Sequence, residues 1–263
     1  MIAVSDENLP RGAVISDLHL FTHRSTVHRH MDAINEAARS ARLFILNGDT
    51  FDFLWCRHGD HETSIAAAVD WITDLLAGHP HCDFVFLLGN HDGTALFKEQ
   101  LNELEARLKN LHWEEFHLRV GNKLFLHGDA LHGGHTPEIL EGYREQWDRP
   151  RQKQAYLGRL YWVIAHSGIP WLVSRLHTKR HSARRILNYI HYTLGDAGDA
   201  IEEIYFGHTH RPFSAFEYRK HVFHNTGAAM TRARLAIHRF DVDTEQLIFS
   251  DETSADVRRD AST

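Results

Sequence analysis

A chain of 263 residues with 43% hydrophobic content is long enough to bury a large core, and its net charge of -6 excludes a surface that is a polyanion-binding face throughout. Two distant cysteines, Cys56 and Cys82, make no CxxC pair, which excludes a cysteine-based zinc knuckle and a disulfide framework and suits a reducing compartment. The opening MIAVSDENLPRG puts acidic residues and a proline where an export signal needs a basic and then an apolar stretch, and the longest apolar run, Leu160 to Val173, is interrupted by His166, Ser167, Gly168 and Pro170. The expectation is a cytoplasmic chain that is peripheral to a membrane at most. Its 23 histidines carry meaning only through where they fall relative to the elements.

In chain order, five short apolar runs each end in a small residue followed by Asp, Asn or His. The first is AVIS, ending in Asp17-Leu18-His19. A helical stripe of Met31, Ile34, Ala37 and Ala38 follows, over about 27–41, and then LFILNG ending in Asp49. A second stripe of Ile65, Val69, Ile72 and Leu76 over about 64–77 leads to FVFLLG, ending in Asn90-His91-Asp92. Further on come LFLHG, with His127 at its end and Asp129 after it, and IYFG, ending in His208-Thr209-His210. Continuous apolar runs of this length predict strands covered on both faces, and the alternation of strand and helix predicts right-handed crossovers and a largely parallel sheet. Ligands bind beyond the carboxyl ends of such strands, where these polar residues fall. In an extended chain Asp17 and His19 project to one side, as do His208 and His210, so each pair can reach one site. Any one fragment is an ordinary turn; the five together form a constellation.

The constellation offers two carboxylates (Asp17, Asp49), the amide oxygen of Asn90 and four imidazoles (His19, His127, His208, His210), too many for one tetrahedral ion. Mixed imidazole and carboxylate ligation favours manganese, iron or zinc over calcium or magnesium. Two ions about 3.5–4 Å apart and bridged by a carboxylate would use all seven ligands, polarise a phosphoryl oxygen and make hydroxide from water near neutral pH. The reaction class expected is hydrolysis of a phosphate ester or anhydride.

The ordered set DxH, GD, GNHD, HGD and GHTH resembles the calcineurin-like metallophosphoesterase family over about residues 13–230. The resemblance implies a four-layer α/β/β/α sandwich, with Asp17, His19 and His210 on one metal, Asn90, His127 and His208 on the other, and Asp49 bridging. It implies that His91 donates a proton to the leaving group or clamps phosphate, with Asp92 orienting its ring. The whole chain, 1–263, is then one domain holding an insert at 137–200, with a loose tail at 251–263.

From Arg149 to Arg185 the insert carries nine basic residues and no acidic one, interleaved with aromatic and aliphatic residues such as Tyr156, Trp162 and Trp171. Two helices packing an ordinary core, or an amphipathic cap that binds phosphates and acyl chains and touches a membrane surface, both fit that pattern. Arg180 and Arg184, with Asn90 and His91, are the candidate substrate contacts. NGDTFDF, the basic insert and GHTHRP followed by NTGA resemble the UDP-2,3-diacylglucosamine hydrolase subgroup, a peripheral enzyme of the inner membrane that uses manganese. Two departures leave the substrate open: His91 stands where that subgroup has arginine, and Leu131-His132-Gly133-Gly134-His135 stands where it has a pair of aspartates. A phosphodiesterase or phosphatase for nucleotides or phosphoproteins is the alternative, nucleic acid is the less favoured substrate, and a non-catalytic scaffold would be expected to have lost ligands that are all present here.

Overall fold

A computed structural model describes residues 12–58, 60–148, 178–242 and a strand at 247–249. In chain order these form β1 (Gly12–Ile15), α1 (Met31–Ser40), β2 (Leu43–Asn47), α2 (His61–Ala77), β3 (Asp83–Leu87), α3 (Ala95–Arg107) and β4 (Leu111–Glu114). Then come β5 (His117–Val120), β6 (Lys123–Leu126), α4 (Ala130–Gly133), α5 (Pro137–Asp148), α6 (Lys179–Leu194), β7 (Glu203–Phe206), β8 (Phe213–Tyr218), β9 (His221–Asn225), β10 (His238–Phe240) and β11 (Leu247–Phe249).

The strands make two sheets. One has the order β10-β1-β2-β3-β4, parallel from β1 to β4 with β10 antiparallel at its edge; the other has the order β11-β5-β6-β7-β9-β8 and is mixed. Strand periodicity explains why the central strands are apolar at every position. In β2, Phe44 and Leu46 face α1–α3, while Leu43 and Ile45 face the second sheet. In β3, Phe84 and Phe86 face the helices and Val85 and Leu87 the sheet. Across the gap Phe125 and Tyr205 point back toward them, and Leu124, Leu126, Ile204 and Phe206 turn outward onto α6. The result is the expected four-layer sandwich.

Three expectations need adjustment. Strands β1 to β3 form the parallel block that the alternation implied, but the strands leading to His127 and His208 belong to the second sheet, so the five ligand-bearing ends come from two sheets and not one. Helix α1 begins at Met31, with a separate 3-10 turn at Val27–Arg29 ahead of it. Helix α2 begins three residues before the apolar stripe because the Asp60 side chain accepts from Thr63 N at 2.7 Å and caps it.

The insert begins and ends in described helices. The buried face of α6, with Ala183, Ile186, Tyr189 and Ile190, packs against the second sheet as ordinary core. Residues 149–177, which hold most of the basic and aromatic pattern, and the tail at 251–263 lie outside the described residues. Among the described residues no helix is long and apolar enough to cross a membrane.

His117, on β5 beneath α6, is buried with its Nδ1 3.2 Å from the Tyr189 hydroxyl. Burial disfavours the imidazolium and pushes its pKa down to about 4. The unfolded chain therefore binds this proton more tightly than the folded one. The resulting stability is fully present above the unfolded value near 6.5 and is lost as pH falls from there to about 4, for a total of about 3 kcal/mol. Urea unfolding of the wild type and of His117→Phe at pH 7 and pH 4.5 should show a shallower acid loss in the variant. Equal slopes would remove His117 as an acid-sensitive element.

Candidate metal centre

The carboxyl ends of β1, β2 and β3 in one sheet and of β6 and β7 in the other meet at one edge of the sandwich. The joint is made by the last residue of β2. Asn47 is fully buried, and its Nδ2 donates to Leu126 O at the end of β6 (2.9 Å) and to Tyr205 O in β7 (3.3 Å). Its own carbonyl lies 3.3 Å from His127 Nδ1. The adjoining loops bond to each other through Asp17 N to Gly48 O (3.0 Å), His19 N to Asp49 O (3.0 Å) and Gly207 N to His127 O (2.8 Å).

Two trios of candidate-ligand atoms result, Asp17 with His19 and His210, and Asp49 with His127 and His208, and a third, His19 with Asp52 and His91, adjoins them; within each the atoms lie within 4.8 Å of one another. In the first, His210 Nε2 is 3.2 Å from Asp17 Oδ1 and 3.2 Å from His19 Nε2. In the second, His127 Nε2 is 3.2 Å from Asp49 Oδ2 and 3.2 Å from His208 Nδ1. Asp49 Oδ2 also lies 3.8 Å from His19 Nε2, so this carboxylate reaches both trios, as a bridge must. Asn90 is buried, its Oδ1 has no hydrogen-bond partner among the described residues, and its neighbours Gly89 and His91 both touch Asp49.

The pairs converge for a reason other than the extended geometry expected. Asp17 (φ 54), His19 (φ 44), Asp49 (φ 51), His208 (φ 62) and His210 (φ 55) all occupy the left-handed region, which side chains with a Cβ seldom adopt. Each turn is tight, not extended, and the side chains converge because the backbone doubles back. Two glycines allow the packing: a Cβ at Gly89 would collide with the Asp49 carboxylate, and one at Gly207 with Ser16 and Asp17.

The electrostatics fit divalent cations. Asp17, Asp49 and Asp52 are buried together. Burial opposes the Asp49 charge, but the imidazoles of His127, His91 and His19 outweigh it and hold the carboxyl well below the usual range. Burial likewise opposes a charge on His127, yet Asp49, Asp17 and Asp129 push it up to about 10. The buried carboxylates thus draw positive charge to the pocket, as imidazolium here and as divalent cations where ions would bind. His127 Nδ1 lies within reach of the Asn47 carbonyl, so an ion that replaced the Nε2 proton would find the ring in the tautomer a metal-bound histidine needs. The first two trios of histidine and aspartate fit two divalent ions.

His91 is partly open, with 17% of its side chain exposed. Its backbone N–H donates to Asp49 Oδ1 at 2.9 Å, and its Nδ1 lies 3.2 Å from Asp52 Oδ2. Burial opposes its charge, but Asp52 and Asp49 raise its pKa to about 9. Asp52 therefore holds the role expected of Asp92. Asp92 instead accepts from Gly89 N (2.7 Å), Thr50 N (2.8 Å) and Phe51 N (3.3 Å), which ties the β2 and β3 loops together and leaves no carboxylate oxygen for the ring. Asp52 also lies 3.4 Å from His19 Nδ1, so one carboxylate steadies both the open histidine and a ligand.

Two residues of α5 border the centre without having been singled out in the sequence. Trp147 packs on His91 with ring centroids 5.2 Å apart. Arg144, buried at 3% exposure, grips both Asp129 oxygens at 2.7 and 3.1 Å and donates to Leu88 O at 3.0 Å and to Glu115 O at 2.5 Å. It joins the loop after β6 to the end of β3. Arg180 and Arg184 are not brought to the metal ligands: they stand on the outer face of α6 beside Tyr218 and Arg219, while Arg185, on the same helix, donates to Leu131 O next to Asp129.

The family model described as calcineurin-like phosphoesterase matches residues 11–212. No curated protein compared with the chain matches it. A crystal structure described as a dimetal phosphatase from Danio rerio is similar over 88% of this chain and 93% of its own, with 10% identity and a TM-score of 0.45.

Replacing Arg144 by Met should strand the buried Asp129 charge and cost about 3–5 kcal/mol. Calorimetry of the two proteins checks this; a loss below about 1 kcal/mol would mean that Asp129 finds another partner.

Proposed function

The chain belongs to the calcineurin-like phosphoesterase family and is a metal-dependent phosphoester hydrolase, and from that premise we propose a division of labour among its residues. Asp17, His19 and His210 would hold one ion, His127, His208 and Asn90 the other, and Asp49 would span both. Two divalent ions supply Lewis acidity to a phosphoryl oxygen and to water. The mixed nitrogen and oxygen donors support manganese, with iron or zinc as the alternatives.

The observation that carries the reading is the placement of His91. It flanks Asp49 through its own N–H, turns one ring nitrogen to Asp52 and keeps a partly exposed ring beside the trios. Asp52 holds Nδ1, so Nε2 is left to give a proton to the departing oxygen of an ester or anhydride. Asp52 acts through His91 and is a positioning residue. Trp147, packed beside the ring, would offer an aromatic wall to the leaving group.

For the substrate, we propose a phosphoanhydride or ester of a sugar nucleotide carrying acyl chains, of the kind that UDP-2,3-diacylglucosamine hydrolase cleaves. NGDTFDF, GHTHRP, NTGA and the nine basic residues from Arg149 to Arg185 support it. Contact with the cytoplasmic face of the inner membrane through that basic stretch belongs to the same proposal. A histidine at position 91 in place of the subgroup's arginine supports the second reading, a phosphodiesterase acting on smaller nucleotides.

His91→Asn should lower turnover by about 10²–10⁴ with two ions per chain retained. Steady-state rates on aryl phosphodiesters with poor leaving groups, read beside metal analysis, decide it, and unchanged turnover would take His91 out of the mechanism. Product analysis with UDP-diacylglucosamine and with cyclic nucleotides separates the two substrate readings. Asp52→Asn at saturating metal should cost about 10–100-fold. Added to His91→Asn it should cost almost nothing more, because both changes remove the same proton donor. Additive losses would show that Asp52 serves the metal ligand His19 instead.

A further inference from the structure

A second cationic feature lies away from the metal centre. The first turn of α6 and the turn joining β8 to β9 enclose a hollow of about 430 Å³ lined by Thr178, Arg180, His181, Arg184, Tyr218 and Arg219. Among the described residues no candidate metal ligand lines it. Tyr218 ends the strand that begins at Phe213 just after the His210 loop, which puts the hollow roughly 16 Å along the sheet from that loop.

Three arginines share this small space, and among the described residues no carboxylate lines it. Arg180 and Arg219 lie 5.9 and 5.8 Å from the centre of the same Tyr218 ring, so one aromatic side chain holds two like charges near each other. Among the described residues none of the three arginines forms an ion pair, whereas the adjacent Lys220 pairs with Asp199 at 2.7 Å. Arg219 also occupies the left-handed region (φ 55), a costly conformation for a long side chain in a turn that glycine or asparagine would form more cheaply. Thr178 caps α6 by accepting from His181 N at 3.2 Å, and the first turn of the helix contains no acidic residue, so its amide dipoles add to the positive field.

We propose that this hollow binds a terminal phosphate group, carried by a soluble phosphate or by a lipid headgroup. Planar guanidinium forks match the oxygens of a phosphate monoester two at a time, and the tyrosine ring sets the spacing of two of them. The site is independent of the reaction proposed above and stands whether or not that substrate is the right one.

Equilibrium dialysis of the intact protein with labelled inorganic phosphate tests the soluble arm, and sedimentation with phosphatidylcholine vesicles containing phosphatidic acid tests the lipid arm; binding in either arm that His208→Ala retains supports the site and names its source. In Arg180→Ala/Arg184→Ala/Arg219→Ala, binding should fall about 10-fold or more, and the single Arg184→Ala should show a smaller loss in the same direction. The metal-centre variant His208→Ala should keep it. Equal binding by the triple variant, or loss in His208→Ala, overturns the proposal. So does equal binding of vesicles containing phosphatidylglycerol, whose phosphate is a diester, because attraction would then follow charge alone.

Discussion

One side-chain amide holds the two halves of the metal centre in register. Asn47 closes β2 in the first sheet and donates to the backbone at the ends of β6 and β7 in the second. Its carbonyl meanwhile fixes the ring of His127. Four of the seven candidate ligands follow strands of the first sheet, and His127, His208 and His210 follow strands of the second, so no single sheet could supply the set. Sheets packed only through apolar faces are free to slide by fractions of an ångström. A buried amide with two backbone acceptors removes that freedom at the point where ligand positions matter most. A longer or apolar side chain at position 47 would fill the space and leave the carbonyls of Leu126 and Tyr205 with one donor fewer.

The loops that carry the ligands are strained as well as braced. Five ligand residues adopt left-handed backbone, each at a cost of order 1–3 kcal/mol. The surroundings that enforce this are visible: the Asp92 carboxylate takes three amides from two loops, and Asp17 accepts from His208 N at 2.9 and 3.1 Å. The stacked rings of Phe21, Phe51, Phe53 and Phe86 lie under the β2 loop as a rigid floor. Much of the hydrogen bonding near the centre thus serves to hold unfavourable dihedrals, so that the ligands are in place before any ion arrives.

What the sequence made legible follows from what periodicity records. Runs such as FVFLLG mark strands covered on both faces, and the polar residue after the run marks the strand end, so each ligand is legible singly. The spacing of Asp17 and His19 led to the right convergence through the wrong geometry, because left-handed backbone has no apolar signature. The second sheet entered only through the family resemblance, since apolar alternation does not say which sheet a strand joins. Asp52 escapes a sequence reading because a carboxylate in a loop carries no pattern, and the family resemblance implies Asp92 for its role. The Asp92 side chain in fact turns back toward the amides of residues 50 and 51. Arg144 meets Asp129 across 15 positions of chain, a separation at which no local rule pairs residues.

The two helices that bound the insert are fastened very differently from what an appended module would require. On one side Arg144 fixes α5 to the loops of both sheets and Trp147 rests on His91; on the other, α6 seals the outer face of the second sheet with Ala183, Ile186, Tyr189 and Ile190. The segment that could be exchanged between relatives without rebuilding the centre is therefore narrower than the sequence boundaries at 137 and 200 suggest. A chimera would have to be spliced after Trp147 and before Thr178, leaving both helices with the host, because a cut at the outer boundaries would remove a wall of the catalytic pocket and part of the core.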